Sequence, residues 1–323
     1  MSFELSKKNG ELKQVITNRG FETRNISTMW CIRKANEIYN WEDFDTIKIS
    51  TDDRINYDNN YAYSFYGDYP EESLIPDFNF HCWPQVGLDD FDEIKEQIHQ
   101  AGLEKPLTSW IGWFGVVSNL EVRKKFFEIA EQHKKLFKVR DNRYWRRRGT
   151  KKIDGIHRDV DVLQTHNYMS LVTQVKEHKF LIDMEGRGYS GRVKYFFWSH
   201  RPVLLIDRPY KEYFFKYLIP WKHYIPVKRD LSDLIEKAEW CNENYEKALE
   251  IAENAYEFSK KHLTREACYA RWNEITRRIF EAAACNCCVL TNKLPSHTMI
   301  ETLFVHNVSI LYYEGPFSLL KQL

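Results

Sequence analysis

The chain has 323 residues, of which 43% are hydrophobic and 29% are charged, and this balance predicts a globular protein of one large or two medium domains. Its 47 basic and 46 acidic residues leave a formal net charge of +1, which argues against broad nucleic-acid binding because that requires a basic surface. The sequence has no apolar run of the roughly 18 residues that a membrane-spanning helix needs.

The N-terminus and the cysteines predict a cytoplasmic protein. Residues 1–8, MSFELSKK, lack the apolar segment of a secretory signal. The seven cysteines show no regular disulfide framework, which fits a reducing compartment. Cys285, Cys287 and Cys288 fall in a helical pattern that would scatter their thiols, so we interpret them as buried small residues and not as metal ligands.

A clear α/β pattern begins after residue 76, whereas residues 1–75 are mixed. Hydrophobic spacing predicts helices over 89–102 and 121–137, and the apolar run 109–117 resembles a buried strand. Residues 138–161 are polar and basic, and we interpret them as a loop that connects two domains. Their basic run, 143–152, fits either an anion site or a solvated surface segment.

Strands and helices alternate at short intervals in the second half. The predicted elements are strand 179–183, helix 192–199, strand 202–207, helix 211–218, strand 223–227 and a long helical region that opens at Asp230. This alternation implies an α/β fold with a parallel sheet.

The strongest local signal is a glycine turn between strand 179–183 and helix 192–199. Gly186, Gly188 and Gly191 follow an apolar strand and precede a helix, where the backbone can approach a phosphate closely. Ser190 and Arg192 can add hydrogen bonds to the same anion.

Two other interpretations of this turn stay open. A tight turn between a strand and a helix also needs glycine, without any ligand. The spacing also fits the Gly-x-Gly-x-x-Gly pattern of dinucleotide enzymes, although the acidic residue expected about twenty positions on falls at Asp207, 16 beyond Gly191.

Long segments around the turn carry a resemblance to a known family. They are 179–194, 201–205, 207–214 (DRPYKEYF), 219–227 (IPWKHYIPV) and 230–234 (DLSDL), with weaker matches at 75–78, 83–85 and Trp110-Ile111-Gly112 followed by Arg123. Together they closely resemble glycosyltransferase family 90, which holds capsule-associated and lipopolysaccharide-modifying transferases and protein O-glucosyltransferases. The resemblance covers roughly residues 60 to 265.

The resemblance implies a GT-B-like architecture, an α/β fold in which two Rossmann-like domains face a central cleft. Residues 1–160 would form the acceptor-side domain and 161–265 the domain that binds the nucleotide sugar. Residues 266–323 would form a helical extension able to cross back to the first domain.

The same resemblance implies an inverting, metal-independent transfer of a hexose or pentose from a UDP-sugar to a hydroxyl of a glycan or protein. Glucose or xylose would be the sugar, and the donor would be a substrate, so no cofactor is expected. The residues that would cradle the diphosphate are Gly186, Arg187, Gly188, Tyr189, Ser190, Gly191 and Arg192. Arg208 would help neutralise the diphosphate, and Glu212 would accept hydrogen bonds from ribose hydroxyls.

The catalytic base is the point at which this sequence departs from the family. In protein O-glucosyltransferases an aspartate precedes the Trp-Pro pair, and here Cys82 occupies that place. Ile111 likewise stands where relatives carry an arginine. The candidate bases are three nearby acids: Asp77, Asp89 and Asp68.

Three further interpretations are weighed against an active transferase. The triplet Asp159-Val160-Asp161 matches the Asp-x-Asp of metal-dependent GT-A enzymes, but such triplets occur by chance in acidic loops and we predict no metal. The losses at Cys82 and Ile111 fit a catalytically degraded module that binds sugar nucleotides or glycans. The glycine turn leaves an NAD(P)-dependent oxidoreductase as the lesser alternative.

Overall fold

The computed structural model describes residues 2–18, 22–53, 61–66, 71–117, 120–141, 145–153, 155–164, 169–284, 289–292 and 310–313. Asp68 and the three cysteines Cys285, Cys287 and Cys288 lie outside these ranges, so the predictions made for them stay predictions. Among the described residues, no helix is both long enough and apolar enough to cross a membrane.

The N-terminal residues form an antiparallel sheet. Strands β1 (Ser2–Lys8), β2 (Glu11–Asn18) and β3 (Phe44–Ser50) pair in the order β2-β1-β3, and helix α1 (Glu22–Tyr39) connects β2 to β3.

The β1–β2 connection explains why these two strands are antiparallel. Asn9 and Gly10 both have positive φ, 53° and 80°, and an Asn-Gly pair in this conformation closes a tight hairpin. This arrangement differs from the Rossmann-like domain predicted for residues 1–160, whose strands would be parallel. The physical reason is the short turn, because parallel neighbours need a long crossover between them.

The middle of the chain supplies strands and helices that surround the glycine turn. They are β4 (Phe65–Tyr66), α2 (Phe91–Leu103), β5 (Ile111–Gly115), α3 (Glu121–Gln132), β6 (Phe137–Asp141), β7 (Trp145–Ile153), β8 (Ile156–Gln164) and α4 (Leu171–Glu177). Three short 3₁₀ turns, Glu71–Ser73, Phe78–Phe80 and Pro84–Val86, lie between β4 and α2.

The later elements agree closely with the predicted pattern. They are β9 (Phe180–Asp183), α5 (Val193–Phe197), β10 (Val203–Ile206), β11 (Tyr210–Lys211), β12 (Ile225–Val227), α6 (Leu234–Glu243), α7 (Tyr245–His262), α8 (Arg265–Ala284), β13 (Val289–Asn292) and β14 (Ile310–Tyr313). The helix predicted over 211–218 is wrong, because Tyr210–Lys211 pairs with Phe65–Tyr66 as a strand and only Phe215–Tyr217 forms a 3₁₀ turn.

Five parallel strands form the central sheet in the order β12-β10-β9-β5-β6. The predicted parallel α/β sheet is therefore confirmed. The chain order reverses between β5 and β9, and such a switch point leaves a crevice outside the carboxyl ends of the two strands. The strands β5 and β9 pair only through Ile111–Phe180 and Gly112–Leu181, so the ladder stops before their carboxyl ends.

Both faces of the sheet are buried, as a parallel sheet requires. Phe180 and Ile182 on β9 pack against α3 and α6 in one apolar cluster, whereas Leu181 belongs to a second cluster with α5 and α7. The sheet takes strands from both sides of residue 160, so the predicted domain boundary does not coincide with an edge of the sheet.

The predicted connecting loop 138–161 is instead strand β6 and a two-stranded ribbon. Strands β7 and β8 pair antiparallel from Trp145↔Gln164 to Ile153↔Ile156. Gly155 has φ 75°, and Asp-Gly between two strands is a hairpin signal that the polar composition obscured. Ile153 and Val160 supply a small apolar face that packs on Cys82.

Helix α8 lies against the first part of the chain. Its Arg265 donates to the carbonyl oxygen of Phe80 at 2.9 Å and Arg271 donates to that of Leu74 at 3.1 Å. Trp41 also donates its indole N–H to Asn273 on this helix at 3.0 Å.

Candidate active site

A cavity of about 350 Å³ lies at the switch point of the parallel sheet. Gly115 and Val116 line it just after β5, and the glycine turn lines it just after β9. From the glycine turn, the residues that face the cavity are Gly186, Arg187, Tyr189, Ser190, Gly191 and Arg192. The structure therefore brings together six of the seven turn residues predicted to hold a diphosphate.

Close packing accounts for two of the three glycines. A Cβ at Gly188 would overlap the backbone carbonyl of Asp53, and a Cβ at Gly191 would overlap the side-chain amide of Asn79. Gly188 itself does not line the cavity. The turn thus has no room for side chains at these positions, whatever the cavity binds.

Asp183, at the carboxyl end of β9, holds the turn in place. Its fully buried carboxylate accepts hydrogen bonds from Ser190 Oγ and from Arg208, both at 2.8 Å, and lies 3.4 Å from Arg192. Arg208 is buried in this ion pair and does not line the cavity. The side chain of Arg208 therefore pairs with Asp183 and does not make the predicted contact with the diphosphate.

Two arginines form a positively charged wall. Arg192 donates to the carbonyl oxygen of Phe114, and Arg123 donates to those of Val116 at 2.6 Å and Glu185 at 2.9 Å. Burial and the neighbouring Arg192 together lower the pKa of Arg123 to about 10, so it stays charged near neutral pH. Like charges held this close favour the binding of an anion between them.

Arg187 differs from these two because it is exposed. It lines the cavity and makes no ion pair with another described residue. Its guanidinium is therefore available to a bound anion.

Asp77 and Glu212 lie in a buried ion cluster with Lys194. Lys194 Nζ is 2.9 Å from Asp77 Oδ2 and 3.4 Å from Glu212 Oε1, and the three side chains are 0%, 0% and 3% exposed for Lys194, Asp77 and Glu212. Burial, only partly offset by Lys194, raises the pKa of Glu212 to about 8. Burial alone would lower the pKa of Lys194, but the two carboxyl groups raise it above its ordinary value.

Neither acid of this cluster lines the cavity. The structure thus places Asp77, a predicted base, and Glu212, a predicted ribose ligand, in a structural ion cluster. Lys194 also donates to the carbonyl oxygen of Gly191 at 3.3 Å, which links the cluster to the glycine turn.

Asp89 does not line the cavity either. Its carboxylate is 62% exposed and lies 3.7 Å from Lys151. The N-cap of α2 is its neighbour Asp90, which accepts from the backbone N–H groups of Asp92 and Glu93 at 2.9 and 3.1 Å.

Cys82 does not replace the missing aspartate. Its buried thiol lies 3.3 Å from Ser27 Oγ and 3.4 Å from His81 Nδ1, and burial raises its pKa to about 11. It is therefore a neutral thiol near pH 7 and not a base.

The Trp-Ile-Gly segment does not line the cavity. Ile111 is in the core and Gly112 packs on the ring of His178. The residues of this region that reach the cavity are Phe114, Gly115 and Val116.

The sequence reasoning missed Asp53, the one carboxylate among the described residues that line the cavity. Arg24 holds it with two contacts, 2.9 Å to Oδ1 and 3.3 Å to Oδ2. No motif surrounds either residue, so no local signal could have identified them. The sequence motif included Arg123 but indicated no role for it at the cavity.

The Asp-x-Asp triplet lies on the β7–β8 ribbon. Asp159 accepts a hydrogen bond from Thr150 at 2.9 Å, across the strand pair.

These features define an α/β protein with a cationic ligand cavity at the carboxyl edge of a parallel sheet. The family model of Glycosyl transferase family 90 matches residues 38–279, and the chain belongs to this family. The resemblance recognised in the sequence is thereby confirmed. A second model, described as Glycosyl transferase-like, matches residues 262–323.

The relatives align over part of the chain. Protein O-glucosyltransferase 3 of Homo sapiens is 34% identical over 105 residues, which are 32% of this chain and 21% of that protein. The protein of the same name from Rattus norvegicus is 42% identical over 76 residues, 24% of this chain and 15% of that protein. Uncharacterized protein 035R of Invertebrate iridescent virus 3 is 34% identical over 110 residues, 33% of this chain and 9% of that protein. The chain thus spans about a fifth or less of these relatives.

The solved structure of TarM aligns with 61% of this chain and 33% of its own, at 13% identity and a TM-score of 0.34. A likeness this low does not define the domain arrangement.

Proposed function

We propose that the protein is a glycosyltransferase that moves a hexose or pentose from a UDP-sugar to a hydroxyl of a glycan or protein. One observation carries the proposal: the cavity at the switch point combines the glycine turn with the cationic side chains of Arg123, Arg187 and Arg192. Two of the matched relatives are named protein O-glucosyltransferases, which makes glucose the first sugar to test.

The arginines supply what a departing diphosphate needs. Negative charge develops on the leaving UDP, and fixed cations in a cavity of low dielectric stabilise it. Arg123 and Arg192 are held by backbone carbonyls, so their guanidinium groups need little reorganisation when the charge forms. No metal is part of this proposal, because three guanidinium groups can carry the positive charge.

Asp53 is the proposed general base. The acceptor hydroxyl oxygen attacks the anomeric carbon from the face opposite UDP, and the bond from this carbon to the diphosphate oxygen breaks. Its electron pair leaves with UDP, while Asp53 accepts the hydroxyl proton. The configuration of the anomeric carbon inverts in this single displacement.

The test compares Arg187→Ala with Arg33→Ala, a matched change at an exposed arginine on α1. We expect Arg187→Ala to weaken UDP binding in calorimetry by about tenfold, since a charge-assisted hydrogen bond is lost, and Arg33→Ala to leave it unchanged. Equal affinities in the two variants would remove Arg187 from the diphosphate site. If the wild-type protein binds NAD(P) and not UDP, the transferase proposal fails.

Turnover tests the base. Asp53→Asn is expected to reduce kcat with UDP-glucose or UDP-xylose by about 10²–10⁴-fold while UDP affinity is kept. An unchanged kcat would exclude Asp53.

A second candidate is the degraded binding module, favoured by one observation. Cys82 is a neutral thiol where relatives carry an aspartate, and Asp53 is already paired with Arg24. UDP-sugar binding without turnover across a wide panel of acceptors would support this candidate. The cytoplasmic location stays a prediction from the cysteine pattern.

A further inference from the structure

Two residues that line the cavity carry buried carboxamides whose carbonyl oxygens no described residue satisfies. Asn79, on the 3₁₀ turn Phe78–Phe80, is 1% exposed, and Gln174, on α4, is 2% exposed. Asn79 Oδ1 and Gln174 Oε1 each have no hydrogen-bond partner among the described residues. Buried acceptors are nearly always paired, so two orphans in one cavity indicate a ligand that donates hydrogen bonds.

The orientation of the Asn79 amide is fixed by its surroundings. Asp77 accepts from Asn79 Nδ2 at 2.8 Å and from the backbone N–H of Asn79 at 3.2 Å, and Tyr195 donates to the backbone carbonyl oxygen of Asn79 at 3.1 Å. A carboxylate accepts only, so the NH₂ group must face Asp77. Lys194 holds Asp77 in turn. Asn79 Oδ1 is thus the one end of the side chain left for a ligand.

The Gln174 amide is oriented by the same logic. Its Nε2 donates to the backbone carbonyl of Met169 at 3.5 Å, a long contact that only an NH₂ group can make. The carbonyl end of the amide is again the one without a partner. Two elements far apart in sequence therefore each contribute an uncharged acceptor to the cavity.

The chemistry of these groups selects the ligand. Diphosphate oxygens are acceptors at neutral pH, so they would bind at the arginines and not at amide carbonyls. Hydroxyl groups donate, and a sugar ring carries several of them. We propose that Asn79 and Gln174 are specificity-determining residues that accept hydrogen bonds from hydroxyls of the transferred sugar. This inference rests on the proposed use of a UDP-sugar.

The test is a cycle between protein variants and donor analogues. Gln174→Met removes the acceptor with little change in volume, and Gln174→Glu keeps an acceptor at the same position. The affinities of UDP, UDP-glucose and its monodeoxy derivatives are measured by calorimetry on each protein. Asn79→Ala is measured in the same way, and thermal melting verifies that every variant folds.

For the wild-type protein, removal of one particular hydroxyl should weaken UDP-sugar binding by about tenfold. In Gln174→Met the same removal should change affinity less than twofold, and Gln174→Glu should restore most of the wild-type discrimination. Affinity for UDP alone should stay within twofold in all variants.

If the substitution at Gln174 and every deoxygenation change the affinity independently of one another, the inference is overturned. UDP binding that is retained in this case leaves the proposed function intact. If the variants instead change how the protein responds to deoxygenated acceptors, the amides would be assigned to the acceptor hydroxyl. A wild-type protein that binds neither UDP nor UDP-glucose would overturn both proposals together.

Discussion

Replacing Lys194 with methionine is expected to lower the free energy of unfolding by about 3–5 kcal/mol, the usual cost of breaking a buried ion pair on one side. Lys194 is fully buried between Asp77 and Glu212, and methionine retains its aliphatic volume. Burial already raises the pKa of Glu212. The main effect of the substitution is therefore that Asp77 loses its cationic partner. Asp77 would then be a buried carboxylate without a cation.

Guanidinium chloride unfolding at pH 7 measures the effect. The double variant Lys194→Met/Asp77→Asn is the control, since it removes both charges, and it should recover part of the lost stability. A loss below about 1 kcal/mol would refute the buried ion cluster, because only the separation of solvated charges costs so little.

Three further outcomes follow from the same geometry. Glu212 holds a proton in the native protein up to about pH 8, whereas in the unfolded chain it releases the proton near its ordinary pKa. The free energy of unfolding should therefore fall as pH rises between these two values. Glu212→Gln should flatten this decline in a series of chemical denaturations. Gly188→Ala should lower the free energy of unfolding by about 1–3 kcal/mol and weaken UDP binding, because the new Cβ meets the backbone of Asp53. Gly186→Ala is the control, since its Cβ would lie 3.2 Å from the Tyr189 carbonyl. A similar loss of stability in both variants would argue against the specific overlap with Asp53. Cys82 should resist iodoacetamide at pH 8 in mass spectrometry, since burial raises its pKa to about 11; rapid alkylation of the native protein would contradict its burial.

Local patterns were sufficient to predict the parallel strands and the glycine turn. The strands Phe180–Asp183 and Val203–Ile206 are short apolar runs, and Val193–Phe197 follows the turn where the spacing predicts a helix. The ribbon Trp145–Gln164 was missed even though Asp154-Gly155 signals a hairpin. Its strands are polar on most positions, and pairing depends on the backbone more than on side-chain composition.

The sequence by itself determined the family, the α/β sheet and the position of the glycine turn, because these depend on residues that are close together along the chain. Only the tertiary structure decided which charged residues face the cavity. Lys194 and Asp77 are 117 residues apart, yet their ion pair buries both, and Asp77 does not line the cavity. Asp53, which no motif marks, lies on the cavity because its backbone packs on Gly188. The role of a charge depends on the partner that folding brings to it, and that partner is seldom its neighbour in sequence.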